Sequence, residues 1–269
     1  MMYVFALVIA LLGWWVSTGV ILFLNHLPTS TYRWSIFAAT MFLLLGLTTI
    51  PTFADDVSYF GVLIAFIQGL LTWGWLEMTY LMGFLTGPRK EECPTGVEGW
   101  SRFWLALKTS LYHELAVVFL GVLLIYLTFD KPNPVAGYTY ATLWGMRWSA
   151  KLNLFLGVLN YNSDWLPLGL AYIKSYVRFR RMNFLFPISV CCGAAVAVFF
   201  FSAPQSNELD AASLGFLIIG FLIIFAILEH CFLMLPVNDA ALWSWAIGTS
   251  NKINAVTSPS ERADEIEDV

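Results

Sequence analysis

Apolar residues along this chain fall into seven stretches, each long enough to form a helix that crosses a membrane. A transmembrane helix needs about 20 mostly apolar residues, and polar or turn-forming residues separate each stretch from the next. The stretches cover residues 2–24, 34–54, 58–85, 102–129, 135–159, 185–203 and 211–235. The pattern predicts an all-α fold, a polytopic integral membrane helical bundle with about seven transmembrane helices. No Lys or Arg precedes the first stretch, which is too long for a signal peptide, so we expect it to be retained.

The composition agrees with a lipid environment. Apolar residues make up 59% of the 269 residues and charged residues only 12%, whereas a soluble domain carries about 25% charged residues. The formal net charge of -4 provides no basic face for nucleic acid, so we expect the lipid bilayer as a partner and no nucleic acid. None of the four cysteines has CxxC spacing, which argues against a zinc site or a disulfide framework.

Basic residues are very unequally divided between the two sides that a seven-helix chain would expose. One set of connections, together with the C-terminal segment, holds ten of them: Arg33, Arg89, Lys90, Arg102, Lys174, Arg178, Arg180, Arg181, Lys252 and Arg262. The opposite set holds Lys131 alone. Because cytoplasmic loops carry the excess of Lys and Arg, the pattern predicts an N-terminus outside the cytoplasm and a cytoplasmic C-terminus.

The chain as a whole divides into one helical domain and a short tail. Residues 1–250 are predicted to form the transmembrane domain, and residues 251–269, rich in Asp and Glu, a disordered acidic cytoplasmic tail. Two segments mix aromatic and charged residues in the manner of short helices that lie on the membrane surface. They are residues 164–181, with four basic residues, and residues 238–249, with two tryptophans.

Ionisable residues inside the predicted spans are costly in lipid and indicate a functional site. At a rise of about 1.5 Å per residue, they lie at similar depths, about 8–14 Å from the predicted cytoplasmic ends of their helices. Helices three, four, five and seven would therefore bring their polar groups into one layer, and we expect a single buried polar cluster there. Its members are Glu77, His113, Glu114, Arg147, Lys151, Glu229 and His230.

The fifth stretch indicates how two cations can face the interior of the bundle. Trp144, Arg147, Trp148 and Lys151 recur at helical spacing and therefore share one face. A stripe of small residues occupies a largely separate face, which suits close packing of a neighbouring helix. We expect Arg147 and Lys151 to pair with glutamates of the cluster.

Three interpretations of the cluster are open from the residues alone. The first is an ion-pair network that fixes helix packing. The second is a metal site, with His113, Glu114, Glu229 and His230 as candidate ligands, although ExxH and HExxH spacings are absent and two cations lie nearby. The third is that His113 or His230 ligates the magnesium of a chlorophyll. The candidate cofactors are therefore bacteriochlorophyll or a metal ion, and no catalytic residue is identified.

Five strings of residues carry a resemblance to a known family. They are WWVSTGVIL (14–22), TGPRKEECP (86–94), YHEL (112–115), LWGMRWSAKLNLFLGVLN (143–160) and LEHCFLMLPVNDAALW (228–243). The chain resembles, over nearly its whole length, the PuhE-type photosynthetic complex assembly proteins of purple phototrophic bacteria. Leu76 and Cys231 depart from the pattern, where His and an aromatic residue are expected. The missing His beside Glu77 weighs against a metal site.

The resemblance implies a protein of the bacterial inner membrane, cytoplasmic or intracytoplasmic photosynthetic, that helps to build the reaction centre with its light-harvesting antenna. The distribution of basic residues places its N-terminus in the periplasm. The resemblance also implies a part in bacteriochlorophyll supply or insertion, with reaction-centre or light-harvesting polypeptides and pigment as partners. We therefore expect a non-catalytic assembly factor. Two alternatives are a membrane metalloenzyme that acts on a porphyrin or isoprenoid pigment intermediate, and a structural subunit of the photosynthetic complex.

Overall fold

A computed structural model describes residues 1–161, 166–203, 210–237 and 239–248, and seven long helices make up most of it. They are α1 (Met2–Asn25), α2 (Tyr32–Asp55), α3 (Tyr59–Leu81), α4 (Gly99–Thr128), α5 (Val135–Leu156), α6 (Leu185–Ser202) and α7 (Ala211–Met234). Each helix overlaps one of the seven apolar stretches, so the predicted all-α helical bundle is confirmed. Within the described ranges, the β-type pairing is limited to one isolated bridge between Val158 and Phe179.

Six of the seven described helices are long and apolar enough to cross a membrane, and α5 is not among the six. Its 22 residues give it sufficient length, but Arg147 and Lys151 lower its hydropathy. α5 nevertheless lies inside the bundle, where it packs against α3, α4, α6 and α7. Its charged side chains can therefore meet groups on neighbouring helices instead of lipid.

The centre of the bundle is formed by α3, α5 and α7. α7 packs against α1, α3, α5 and α6, and its side chains include Leu214, Leu217 and Leu222, which are fully buried. The outer helices α2, α4 and α6 expose many large apolar side chains, among them Phe42, Phe119 and Phe199. An apolar surface of this extent is unusual for a monomer in water and fits contact with lipid.

α3 ends at Leu81, four residues before the end that the hydrophobic pattern predicts. Gly83 has a φ of 81°, and its N–H donates to the carbonyl of Tyr80 while the N–H of Phe84 donates to the carbonyl of Thr79. These two bonds form a Schellman motif, which ends a helix at a left-handed glycine. Glu77 therefore lies about 6 Å from the end of its helix, and not about 12 Å as expected.

The start of α7 is fixed by Asp210. Oδ1 of its carboxylate accepts the backbone N–H of Ser213 at 2.8 Å, and this hydrogen bond lowers the pKa of the Asp210 carboxyl. A negative charge is thereby kept at a helix N-terminus, where it stabilises the free N–H groups of the first turn. Ser58 caps α3 in a similar way, because its hydroxyl accepts the N–H of Gly61 at 3.1 Å.

The segment predicted to be a surface helix over residues 164–181 has a different structure. Residues 162–165 lie outside the described ranges, Leu168–Tyr176 is a 3-10 helix, and the chain beyond it is irregular. The N–H of Val158 donates to the carbonyl of Arg178, and the N–H of Arg180 donates to the carbonyl of Val158. The backbone groups of Arg178 and Arg180 therefore pair with Val158 and not with residues one helical turn away, so a helix cannot continue through Arg180.

The second predicted surface segment is helical and lies against α1. A 3-10 helix covers Asp239–Trp243, and helical residues 244–248 follow it. The indole of Trp243 donates to the carbonyl of Trp15 at 3.0 Å, and the indole of Trp15 donates to the carbonyl of Leu242 at 2.9 Å. The segment is therefore fixed to the first helix by two reciprocal bonds. The acidic tail expected at residues 251–269 lies outside the described residues.

Candidate functional site

Two ion pairs connect α5 to its neighbours inside the bundle. Nη2 of Arg147 lies 3.2 Å from Oε2 of Glu77 on α3, and Nζ of Lys151 lies 2.6 Å from Oε1 of Glu114 on α4. The two cations are four residues apart and therefore share a face of α5. The expectation that both cations pair with glutamates is confirmed. We call these four residues the ion-pair cluster.

The carboxylate of Glu114 has a full set of partners. Its Oε2 accepts the indole N–H of Trp148 at 2.7 Å, and its Oε1 accepts the hydroxyl of Ser110 at 3.2 Å in addition to Lys151. Hydrogen bonds to an ionised acceptor are about twice as strong as those between neutral groups. Glu114 therefore ties α4 to α5 through Trp148 and Lys151.

The pair of Glu77 and Arg147 is incomplete by comparison. Oε1 of Glu77 and Nε of Arg147 are both buried, and neither has a hydrogen-bond partner among the described residues. Buried polar atoms are nearly always hydrogen-bonded in proteins, often through ordered water or a ligand. The guanidinium and the carboxylate therefore retain polar capacity that the chain itself does not use.

A cavity of about 330 Å³ lies beside the incomplete pair. α1, α3, α5 and α7 surround it, and its lining includes Trp14, Glu77, Arg147, Lys151, Glu229 and Trp243. This volume is at the lower end of the range of roughly 300–1,000 Å³ for small-molecule sites. The wall combines these charged groups with mostly aliphatic and aromatic side chains. We call it the central cavity.

Glu229 of α7 contributes to the same wall. Its Oε1 accepts the indole N–H of Trp14, so the carboxylate joins α7 to α1. It also lies close enough to Arg147 for an electrostatic interaction. Four of the seven predicted site residues, Glu77, Arg147, Lys151 and Glu229, therefore line the central cavity.

His113 is buried beside the cluster and does not line the central cavity. Its ring packs on that of Tyr80, with 4.6 Å between the ring centroids, and Nζ of Lys151 lies 5.0 Å from the centroid of the same Tyr80 ring. Nδ1 of His113 is buried without a hydrogen-bond partner in the described chain. Tyr80 is thus the residue that connects His113 to the ion-pair cluster.

His230 belongs to a different set of contacts. Its Nε2 lies 2.9 Å from the hydroxyl of Ser149, and its Nδ1 lies 2.8 Å from the carbonyl of Ala226. Ser149 is about 200° around α5 from Arg147 and from Lys151, so it lies on another face of that helix. The expected single layer is therefore divided, with His230 separated from the ion-pair cluster by α5.

The candidate metal ligands are not brought together. Among the described residues, no group of three or more His, Cys, Asp or Glu side chains is placed to hold a metal ion. Glu114 is engaged by Lys151 and Trp148, and His230 by Ser149. His113 and His230 lie on different sides of α5, as their partners show.

Several residues that the sequence pattern did not single out contribute to the site. Tyr80 and Trp14 contact the predicted residues directly. On the other face of α5, Ser149 and Asn153 both bond the hydroxyl of Ser189 on α6, at 2.8 and 3.1 Å. Small polar side chains of this kind can satisfy backbone groups anywhere in a helix, so their type and spacing did not distinguish them.

Arg102 also has an unexpected place. It was expected among the loop residues, but it lies in the first turn of α4 and is only 4% exposed. Its guanidinium donates to the carbonyls of Tyr176 at 2.6 Å and Phe155 at 3.2 Å, and it stacks on the ring of Phe155. Arg102 therefore joins the start of α4 to the end of α5 and to the 3-10 helix.

The loop after α3 packs directly against α4. The N–H of His113 donates to the carbonyl of Thr86, and the N–H of Arg89 donates to the carbonyl of Lys108. Gly87 lies so close to α4 that an added Cβ would be 2.1 Å from the carbonyl oxygen of Lys108. Nε of Arg89 donates to the hydroxyl of Tyr176 at 2.8 Å. The loop that contains the TGPRKEECP string is thus packed and hydrogen-bonded against α4 next to His113.

Comparisons with known proteins identify relatives of the whole chain. The model of a family described as "Protein of unknown function (DUF3623)" matches residues 1–254. A protein of Rhodobacter capsulatus described as "Uncharacterized 30.4 kDa protein in puhA 5'region" is 34% identical over 238 residues, which is 87% of each chain. No solved structure matches this chain.

Proposed function

This chain belongs to the family of proteins of unknown function DUF3623, and from that premise we propose that it is an assembly factor for the photosynthetic reaction centre with its light-harvesting antenna. One observation carries the link to photosynthesis. The relative from Rhodobacter capsulatus, which matches over 87% of both chains, is described by its place in the puhA 5' region. The resemblance to PuhE-type proteins adds the role in assembly and in bacteriochlorophyll supply or insertion.

The proposed place of action is the ion-pair cluster with Glu229 and His113, and His230, on another face of α5, is a second position to test. Glu77 is buried and Arg147 is about two-thirds covered, at 35% side-chain exposure, and both have unused hydrogen-bonding capacity beside a cavity. Charged residues inside membrane bundles usually mark a site for a substrate, an ion or a proton. A network that served only to fix helix packing would gain nothing from the open space next to it.

The proposed membrane placement has all seven helices crossing the bacterial inner membrane, with the N-terminus in the periplasm. The ratio of ten basic residues to one between the two sides supports this orientation. The length of α5 supports the crossing itself, because a helix of 22 residues at the centre of the bundle spans about 33 Å. Its two cations pair with glutamates of α3 and α4, which lowers the cost of placing them within the membrane.

Deletion of the gene in its phototrophic host tests the role. We expect the deletion strain to keep total membrane protein but to lose assembled reaction centre and antenna, measured by near-infrared absorption of the membranes. Complementation with the intact gene should restore the absorption. Unchanged absorption and phototrophic growth of the deletion strain would contradict the proposal.

The abundance of the protein separates an assembly factor from a structural subunit. An epitope-tagged copy should be present in total membranes but strongly depleted from mature, purified complexes. A constant ratio to the reaction-centre polypeptides in those complexes would identify a permanent subunit instead.

The two histidines test where the protein acts. His113→Gln and His230→Gln keep hydrogen-bonding capacity but lose titration and most ligand strength. We expect at least one variant to accumulate normally in the membrane while assembled complex or pigment declines. If both variants accumulate and support full assembly, the histidines only pack, and the loop around Arg89 becomes the next region to test.

A further inference from the structure

We propose that the central cavity binds a neutral amphiphile with a hydroxyl head group, such as a long-chain or isoprenoid alcohol. This inference rests on the proposed function in one respect, since it treats the same cavity as the place where the protein acts. The added content is the chemical class of the ligand, which follows from three features of the cavity wall.

The first feature is the unused donor capacity of Arg147. A guanidinium carries five N–H donors, and the structure shows one ion pair for Arg147, from Nη2 to Glu77. About a third of the side chain, 35%, is exposed although the residue lies within the bundle, and it lines the central cavity. A ligand in the cavity therefore meets a donor with spare capacity and should offer an acceptor oxygen.

The second feature is the presence of carboxylates next to that donor. Glu77 and Glu229 line the central cavity together with Arg147, so the wall offers acceptor oxygens as well as donors. A complementary head group must both donate and accept. A hydroxyl is the smallest group that does so, since it carries one O–H donor and two acceptor lone pairs. An ester or ketone accepts only and would offer these carboxylates no donor.

The third feature is the balance of charge around the cavity. Among the lining residues, Arg147 and Lys151 oppose Glu77 and Glu229, and Lys151 is already paired with Glu114. An anionic head group would meet carboxylates and find no free excess of positive charge. Burial of an additional charge without a partner is costly, so a neutral head group is favoured over a carboxylate or a phosphate. An ammonium carries donors only and would offer Arg147 no acceptor.

The rest of the wall suits an apolar chain. Leu70, Leu143 and Leu222 line the cavity together with the rings of Trp73 and Trp243. Small-molecule sites typically combine such a wall with a few polar groups that orient the ligand. The alcohol would place its hydroxyl at Glu77 and Arg147 and its hydrocarbon chain along these side chains.

Three probes of equal chain length test the head-group chemistry. Dodecanol, laurate and dodecylamine would be titrated into the purified full-length protein in maltoside detergent, with binding followed by tryptophan fluorescence, since Trp14, Trp73 and Trp243 line the cavity. We expect saturable binding of dodecanol, at least tenfold tighter than either charged probe. Tighter binding of laurate or dodecylamine would overturn the proposal, as would non-saturable binding of dodecanol, which would indicate a cavity that holds only water.

Two variants locate the binding. Gly74 lines the cavity, and an added Cβ there would lie 3.8 Å from Cδ1 of Ile21, an ordinary contact. Gly74→Leu should therefore fill space without disturbing the ion-pair cluster and should weaken dodecanol binding at least tenfold. The double variant Arg147→Gln with Glu77→Gln keeps the wall neutral and should weaken it at least fivefold.

The matched control is Lys131→Met, at an exposed ion pair with Asp55 that does not line the central cavity. Its dodecanol affinity should be unchanged. Equal affinity for the intact protein and Gly74→Leu would place the probe elsewhere and overturn the proposal. If dodecanol binds but the deletion strain assembles its complexes normally, the proposed function is refuted and the ligand class stands. If dodecanol does not bind but the deletion strain has a clear assembly defect, the ligand class is refuted and the proposed function stands.

Discussion

Nζ of Lys151 lies 2.6 Å from Oε1 of Glu114, and this ion pair joins α5 to α4 in the interior of the bundle. The ammonium group also lies 5.0 Å from the ring centroid of Tyr80 on α3, within the distance of a cation–π interaction. One side chain of α5 thus contacts two other helices. Lys151 therefore connects α5 to both α3 and α4 and should contribute to the stability of the bundle.

Lys151→Met is expected to destabilise the protein because it leaves the carboxylate of Glu114 without its cation. Removal of one partner of a buried ion pair costs about 3–5 kcal/mol in soluble proteins, and less in membranes, where the unfolded reference state also finds partners. The donors Trp148 and Ser110 remain and reduce the loss further. We expect a clearly lower Tm in detergent and reduced accumulation in the membrane.

Two comparisons make this prediction specific. Lys131→Met breaks a 2.6 Å ion pair with Asp55 that is exposed, and exposed pairs contribute only about 0–1 kcal/mol, so its Tm should barely change. The double variant Lys151→Met with Glu114→Gln removes both charges and should recover most of the lost Tm. A Tm for Lys131→Met as low as that for Lys151→Met would refute the distinction between the two pairs.

The sequence was sufficient to predict the seven helices and the inward charged face of α5. Each apolar stretch is long enough to identify a helix, and the spacing of Arg147 and Lys151 places both on one side. Pairing with glutamates followed because buried cations need anions. Which glutamate meets which cation depends on the rotation of α3 and α4 about their axes, and only the packed bundle determines that rotation.

The depth of a residue along its helix predicts its contacts less well than the face of the helix on which it lies. The distance expected from Glu77 to the end of its helix is too long, because the Schellman motif at Gly83 ends α3 four residues early. His230 was placed with the cluster by depth, but it projects toward Ser149, on another face of α5. Depth fixes one coordinate only, and the direction of a side chain around its helix has to be known as well.

Arg147 and Glu77 should show strong coupling in a double-mutant cycle. Arg147→Ala leaves a buried carboxylate unpaired, so we expect a loss of stability of up to about 3–5 kcal/mol, reduced by the membrane reference state. Glu77→Gln in the same protein should restore part of the accumulation. The Tm and the protein level of the two single variants and the double variant give the coupling energy, and strictly additive effects would show that the 3.2 Å contact contributes nothing.

Gly87→Ala should displace the loop that packs on α4. The new Cβ would lie 2.1 Å from the carbonyl oxygen of Lys108 and within 2.8 Å of the backbone N of Ser110, and backbone atoms of a helix cannot move aside easily. The bond from His113 N–H to the carbonyl of Thr86 should then break. We expect a lower Tm and faster proteolysis of the loop around Arg89.

Gly145→Ala is the matched control for Gly87→Ala. Gly145 lies in α5, and an added Cβ there meets nothing within 4 Å, so the exchange introduces no clash. Alanine also favours the helix over glycine by about 1 kcal/mol. Its Tm should be equal to or above that of the intact protein, and a fall as large as for Gly87→Ala would show that loop displacement is not the cause.

The last prediction concerns α5, the helix that composition alone does not identify as a membrane span. If α5 crosses the membrane, its two flanking connections lie on opposite sides. Reporter fusions after residue 131 should then report the outside, and fusions after residue 182 the cytoplasm. Fusions after residue 95 should report the cytoplasm and those after residue 207 the outside, as the ten-to-one distribution of basic residues requires.

The measurement uses a periplasmic reporter such as alkaline phosphatase, paired with a cytoplasmic fluorescent reporter at each position. The same side for fusions at 131 and 182 would mean that α5 does not cross, and a cytoplasmic signal at 207 would overturn the orientation of α6 and α7. Because Arg147 and Lys151 find their carboxylates on α3 and α4 within the bundle, α5 can cross without exposing either charge to lipid, and we expect the alternating result.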